Sequence, residues 1–218
     1  MSEELAAPLR AGVQALGLDL DDAQQQQLLD FLALLHKWNR VYNLTALRDP
    51  WEMLTHHLLD SLAVVRPLQR HVQPLREQGR APRLLDVGSG GGLPGVVFSI
   101  CCPDIEVHCV DTVAKKAAFI QQAAASLRLP NLRGIHARVE TLAGPYDVVS
   151  SRAFASLADF TAWSRDALAP EGVWLAMKGK LPQDEVTALP ADVQVFHVEP
   201  LHVPQLQAER CIVWLRPA

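Results

Sequence analysis

The sequence predicts an α/β fold: a mostly parallel seven-stranded sheet with an antiparallel C-terminal strand, preceded by a small N-terminal helical module. Three observations predict it. From Arg83 onward, strand-length apolar runs alternate with helix-length segments, the pattern of a parallel sheet covered by helices on both faces. Five of the 12 glycines fall within eight residues, between the first strand and the first helix of that series. Before residue 80, the apolar residues recur at helical spacing.

The elements follow in chain order. Leu28, Phe31, Leu32, Leu35 and Trp38 form the apolar stripe of one helix, and the glutamines at 24–27 read as a solvated face at its start. Asp49-Pro50-Trp51-Glu52 reads as a helix start, with Asp49 as N-cap and Pro50 at the first helical position. Trp51, Leu54, Leu58, Leu62 and Val65 continue that helix as a stripe. Pro67, Pro74, Gly79 and Pro82 break the next stretch into a short linker. The expected division is a helical module at 1–80 and a second domain at 81–218. Strands are expected at 83–87, 105–110, 132–137, 146–151 and 173–177. Helices are expected at 94–102, 114–127, 157–168 and 182–189. Two further strands, 193–198 and 210–215, have no helix between them and predict an antiparallel closing pair.

Composition narrows the function. The chain has 218 residues with 49% hydrophobic and 20% charged, enough for one ordinary core and unlike a disordered chain. No apolar run approaches the ~20 residues of a membrane span. The acidic start, Met1-Ser2-Glu3-Glu4, precedes no apolar segment, so a secretory signal is not expected and the cytoplasm is. Cys101, Cys102, Cys109 and Cys211 show no CxxC spacing, so they are expected as buried thiols, with no metal site. A net charge of −4 argues at first against a nucleic-acid binder. The average hides a pattern: residues 1–30 carry −5, residues 31–83 carry +4 and residues 182–218 carry −3. That predicts a local Arg-rich face on the helical module, with acidic flanks.

The glycine loop holds Gly88, Gly90, Gly91, Gly92 and Gly95, after the strand Leu84-Leu85-Asp86-Val87. Glycine lets the backbone turn sharply and approach a ligand. The helix that follows presents unpaired N–H groups at the carboxyl edge of the first strand, where open α/β sheets bind ligands. Gly90 to Gly95 literally matches the dinucleotide signature G-x-G-x-x-G, which leaves a nicotinamide cofactor open. Asp86, two residues before Gly88, suits a zwitterion better than a pyrophosphate, because a carboxylate there can meet an ammonium. That favours S-adenosylmethionine. Asp111 ends the second strand, 23 residues beyond Gly88, where an acid accepts from both ribose hydroxyls. Glu140 follows the third strand and could face the adenine amine. Arg152 ends the fourth strand, and Lys178 ends the fifth, where it could contact RNA phosphate or orient the substrate. His56 and His57, with Asp60, read as a surface or interdomain cluster on a polar helix face.

The segment Leu85 to Gly95 (LDVGSGGGLPG) resembles the loop of the RsmG (GidB) family. So do Tyr42-Asn43-Leu44-Thr45-Ala46, His57-Leu58-Leu59-Asp60-Ser61-Leu62, Ser151-Arg152-Ala153-Phe154-Ala155-Ser156-Leu157 and Lys178-Gly179 in their order along the chain. The resemblance implies a class I, Rossmann-like methyltransferase. It implies transfer of a methyl group from S-adenosylmethionine to N7 of guanine 527 in 16S rRNA. Beside Asp86 and Gly90, it assigns cofactor contacts to Gly88, Leu93, Asp111, Thr112, Val139, Glu140 and Arg152. Arg152 and Lys178 are expected toward the substrate, and no residue is expected as a catalytic acid or base. The implied partner is 16S rRNA, the small ribosomal subunit or its assembly intermediate, met by a monomer without membrane or metal. Gly91 departs from the family, where Ala or Pro is frequent.

Guanine N7 is a lone-pair nucleophile at neutral pH, so a transferase needs alignment and exclusion of water rather than a base. The fourth strand ends without the Asn/Asp-Pro-Pro-aromatic pattern of exocyclic amine methylation. No motif cysteine sits at a strand end, as 5-methylcytosine chemistry by covalent attack would require. Alternatives are a methyltransferase of another substrate, a nicotinamide-dependent oxidoreductase and a non-catalytic ribosome-assembly factor.

Overall fold

The computed structural model describes residues 2–218, with side chains from Glu4 onward, so of the acidic start read at 1–4, Met1 and the side chains of Ser2 and Glu3 lie outside the described residues. Five helices come first. They are α1 (Ser2–Ala15), α2 (Asp22–Tyr42), α3 (Pro50–Met53), α4 (Asp60–Leu62) and α5 (Val65–Glu77), with a π-helical stretch, Leu54–Leu59, joining α3 to α4. Seven strands follow: β1 (Arg83–Val87), β2 (Glu106–Asp111), β3 (Leu132–His136), β4 (Tyr146–Arg152), β5 (Leu168–Lys178), β6 (Val193–Leu201) and β7 (Arg210–Pro217). Between them lie α6 (Gly95–Cys101), α7 (Ala114–Ser126), α8 (Leu157–Trp163) and α9 (Gln183–Thr187).

The sheet order is β3-β2-β1-β4-β5-β7-β6. All neighbours from β3 to β5 pair in parallel, and β7 runs antiparallel to both β5 and β6. The order reverses between β1 and β4, and ligands bind outside the carboxyl ends of the strands at such a point. Strand alternation divides the core. Leu84, Val107, Cys109 and Leu175 pack on the side of the N-terminal helices, α6 and α7, while Leu85, Val87, Val110 and Trp174 pack on the side of α8.

The helical region departs from expectation in three places. The glutamines of 24–27 are not simply a solvated face. Gln24 completes a capping box with Asp21, and its Nε2 also donates to the Ile100 carbonyl at 2.9 Å. Gln27 Nε2 donates to the Leu127 carbonyl at 2.8 Å. Carbonyls in the last turn of a helix have no intrahelical partner, so α2 finishes the ends of α6 and α7. The segment read as a linker is mostly α5, because the buried face Val65, Leu68 and Val72 holds the helix through Pro74. Pro67 lies in its first turn, where a missing N–H costs little. Finally, Trp51 does not join the buried stripe of Leu54, Leu58, Leu62 and Val65; it stands exposed.

The expected single Arg-rich face is also corrected. Of the eight basic residues in 31–83, four are spent on acids elsewhere. Arg76 pairs with Asp104, Arg80 with Asp147 and Arg83 with Glu106, at the edge where the strands begin. Arg70 pairs with Glu199 on β6. Charge summed along the sequence could not reveal these pairings, because each acid lies far along the chain.

Candidate functional site

The carboxyl edge of the sheet carries a cleft with two lobes that share Gly88 and Ala153. The first lobe, about 500 Å³, is lined by Gly88, Gly90, Leu93, Arg152 and Lys178 among the expected residues. The second, about 590 Å³, is lined by Asp111, Thr112, Val139 and Glu140. Of the expected set, only Asp86 lines neither.

The loop after β1 is shaped by its glycines. Gly88 has φ +66°, and a Cβ there would overlap the Phe154 ring. Gly90 has φ +55°, and a Cβ there would meet nothing nearer than the Gly88 carbonyl oxygen at 3.9 Å. The backbone is thus bare at Gly90 and closely covered by Phe154 at Gly88, and both residues adopt a conformation that side chains disfavour. Asp86 braces the loop from beneath. It is fully buried; Oδ2 accepts from Gly95 N at 3.1 Å and Oδ1 from Ser150 Oγ at 2.9 Å. Burial pushes its carboxyl up to about 7, against the pull of the Ser150 and Gly95 hydrogen bonds and of Arg152.

Asp111 faces the second lobe. One oxygen accepts from Gly90 N at 3.0 Å and the other from Val113 N at 2.8 Å. A carboxylate has about four acceptor positions, so capacity remains for ligand hydroxyls. Val139 lines the same lobe, as do Phe154 and Trp163, whose rings meet edge-on at 5.8 Å. Glu140 is exposed and bonded to Arg138 at 2.7 Å; that guanidinium holds its carboxyl below the ordinary range. Bare loop backbone beside one lobe and a carboxylate with spare acceptors in the other fit the two ends of S-adenosylmethionine.

The wall of the first lobe opposite the loop comes from the N-terminal helices. The π-helical stretch Leu54–Leu59 and the start of α4 put His57 and Asp60 there. Isolated π turns recur at functional sites. Asp60 is 3% exposed, and its two oxygens hold Arg210 Nε at 2.8 Å and Arg152 Nη1 at 3.2 Å. Arg152 Nη1 also donates to the His56 carbonyl at 2.9 Å. His57 Nε2 and Thr45 Oγ1 are hydrogen-bonded at 2.7 Å, and burial together with the Arg152 charge lowers the imidazole to about 4. Lys178 Nζ is held by Glu185 at 2.9 Å and by the Ala155 carbonyl at 3.1 Å, which neutralises its charge. Of the two readings, surface or interdomain cluster, the histidine–aspartate group follows the second. His57 and Asp60 are buried between the helical module and the strand ends.

Thr45, His57 and Asp60 belong to the NLT and H-x-x-D-S-L elements, so their signal was present but not attached to a site. Arg210, Phe154, Trp163 and Glu185 carried no assigned role in the sequence reading.

Solved structures share the architecture. A Burkholderia thailandensis 1,6-didemethyltoxoflavin-N1-methyltransferase with bound S-adenosylhomocysteine aligns over 87% of this chain and 89% of its own, with TM-score 0.57 and 16% identity. A Catenulisporales acidiphilia 16S rRNA (adenine(1408)-N(1))-methyltransferase aligns over 68% and 91%, with TM-score 0.51 and 18% identity. The fold and its cleft are those of a class I, S-adenosylmethionine-dependent methyltransferase. The model of the GidB family, rRNA small subunit methyltransferase G, matches residues 24–213, and the chain belongs to that family. A ribosomal RNA small subunit methyltransferase G from Acidovorax ebreus is 78% identical over 96% of this chain and 94% of its own. One from Paracidovorax citrulli is 71% identical over 99% and 91%.

Proposed function

We propose that the protein transfers the methyl group of S-adenosylmethionine to N7 of guanine 527 in the 16S rRNA of the small ribosomal subunit or its assembly intermediate. When bound, the cofactor supplies an electrophilic methyl group on a positively charged sulfur. Gly88, Gly90 and Leu93 cradle its amino-acid end, with Arg152 beside them. Asp111 and Thr112 take the ribose, and Val139 and Glu140 the adenine side. Asp86 acts as the brace that holds the cradle to β4 and α6.

The observation that carries the reading is that neither His57 nor Asp60, the two buried titratable side chains in the helical wall of the first lobe, is placed to act as a base. Asp60 is tied to two guanidiniums, and His57, lowered to about 4, is a poor proton acceptor at neutral pH. Such a wall suits an acceptor that already presents a lone pair, as guanine N7 does. The protein then aligns nucleophile and methyl group and excludes water. Two arginines on one carboxylate leave a positive surplus, which favours a polyanionic substrate. The cytoplasm, where ribosomes assemble, is the compartment this reading implies.

The test is nucleotide-resolution mapping of 16S rRNA from cells lacking the protein. Loss of N7-methylguanosine at position 527, restored by the parent chain but not by Gly88→Val, is expected. Loss at another nucleotide, or no loss, overturns the assignment.

A further inference from the structure

Of the eight basic residues in 31–83, four are committed to acids elsewhere; Arg66 stands apart on α5, and the other three, Lys37, Arg40 and Arg48, lie close together in the chain. Lys37 and Arg40, one helical turn apart near the end of α2, are exposed and make no ion pair among the described residues. Arg48 is exposed, and its hydrogen bond goes to the Asn43 side chain at 3.3 Å. Arg40 and Arg48 line one small hollow with His36 and Asn39. Asn39 ties the same loop down, donating to the Leu47 carbonyl at 2.9 Å and accepting from Thr45 N at 2.9 Å. Thr45 and Leu44 of this loop line the first lobe, so one loop joins the hollow to the cleft.

Aromatic surface accompanies them. Among the large hydrophobic residues that stand exposed, Val41 (70%), Tyr42 (37%) and Trp51 (51%) fall within eleven residues of chain. The Tyr42 ring packs at a tilt against Trp38, centroids 5.1 Å apart, and Trp38 against Phe119 at 5.5 Å, so the Tyr42 ring is braced from the core. Two acids share the region. Asp49 is engaged by Trp51 N and Glu52 N as the cap of α3, and Glu52 is exposed. Cations and exposed rings that lie close in the chain are the residue types with which proteins hold single-stranded nucleic acid, phosphates on the cations and bases on the rings.

We propose that Lys37, Arg40, Arg48, Tyr42 and Trp51 form a docking platform for single-stranded RNA flanking the target nucleotide. The proposal rests on the reading of rRNA as substrate and adds where the strand outside the cleft lies.

The experiment is equilibrium binding of the full-length protein to protein-free 16S rRNA and to a single-stranded oligonucleotide, across a salt series. Arg40→Ala/Arg48→Ala should weaken binding about tenfold or more and flatten the log–log salt slope by roughly 1.5 to 2. Trp51→Ala should cost roughly five- to a hundredfold, the range for one stacked base. Arg70→Ala/Arg80→Ala, from paired positions, should change neither affinity nor slope. S-adenosylmethionine affinity by calorimetry should be the same in all variants. Unchanged RNA affinity and slope in the Arg40/Arg48 variant overturn the platform, even if the parent methylates guanine 527 normally. Losses seen only with assembled particles, and not with protein-free rRNA, also overturn it, assigning the surface to a ribosomal protein. A parent chain that binds neither protein-free rRNA nor the oligonucleotide overturns the platform, while the functional reading, whose substrate includes the assembled subunit, stands or falls by the mapping of position 527.

Discussion

The Asp60 carboxylate, on the last short helix of the π-interrupted segment, accepts from Arg210 Nε at the start of β7, 2.8 Å away and 150 residues later in the chain. Its second oxygen holds Arg152 at the end of β4. One buried acid from the helical region thus fixes two guanidiniums from separate strands in the wall of the first lobe. Asp60→Asn keeps the shape but removes the charge that both arginines face. The hydrogen bonds of charged groups contribute about 1.5–3 kcal/mol each, and partial exposure of both arginines places the expected loss of stability near the lower end. Methyl transfer to rRNA should fall at least tenfold, while S-adenosylmethionine affinity changes little. Urea unfolding, single-turnover transfer and calorimetry measure the three quantities. Equal losses in transfer and cofactor affinity would place Asp60 with the cofactor instead.

Gly88 sits where the two lobes meet, in a left-handed conformation and against Phe154. A Cβ costs about 1 kcal/mol in that backbone region before any clash. Gly88→Ala should therefore lower S-adenosylmethionine affinity by an order of magnitude or more, with the circular dichroism spectrum retained. Gly88→Ala/Phe154→Leu, which gives the new methyl group a more compliant neighbour, should recover part of that loss. Calorimetry on the folded variants decides it, and undiminished affinity in Gly88→Ala would remove Gly88 from the cofactor site.

Gln27 joins α2 to the end of α7 by one side-chain hydrogen bond to Leu127. Gln27→Ala leaves that carbonyl without its partner, at a cost of about 1 kcal/mol. In a chain of this length the melting temperature should fall by about 2–4 °C, with cofactor affinity unchanged. A thermal melt that shows no shift would mean that water satisfies the carbonyl equally well.

The alternation of strand and helix from Arg83 onward was legible because each buried strand is a near-continuous apolar run and each helix carries a stripe. The second-lobe acids were legible for a related reason, since strand ends fix where Asp111 and Glu140 emerge. Asp86 shows the limit. It alternates with Leu85 and Val87, which face α8, so its side chain turns toward the start of α6 and lies beneath the loop rather than on it. The Asp60–Arg210 pair was not legible, because nothing local to either residue encodes a partner so far along the chain. The π-helical stretch was not legible either, and it packs against α1 and α2, elements distant from it in sequence. Pro74 misled the reading of α5, where tertiary burial outweighs a single missing N–H.

Asp86 and His57 impose opposite pH dependences over nearly the same window. The Asp86 carboxyl is raised from 3.8 to about 7. The folded state therefore holds a proton that the unfolded chain has released. Its stabilising contribution is complete below about pH 4 and is lost as pH rises toward 7. The span corresponds to at most about 4 kcal/mol. His57 is lowered from 6.5 to about 4, so the folded state refuses a proton that the unfolded chain takes up. Its contribution is complete above about pH 6.5 and is lost as pH falls toward 4, at most about 3 kcal/mol. In the parent chain the two largely offset each other, and stability between pH 4 and 7 should vary less than either group alone would require. Single variants separate them. Asp86→Asn should gain stability relative to the parent as pH rises from 4.5 to 7.5, whatever its absolute loss. His57→Gln should gain relative to the parent as pH falls across the same range. Urea unfolding at half-unit steps of pH gives both differences. Parallel curves for Asp86→Asn and the parent would mean that Asp86 is ionised throughout, held by Ser150, Gly95 and the Arg152 charge against its burial.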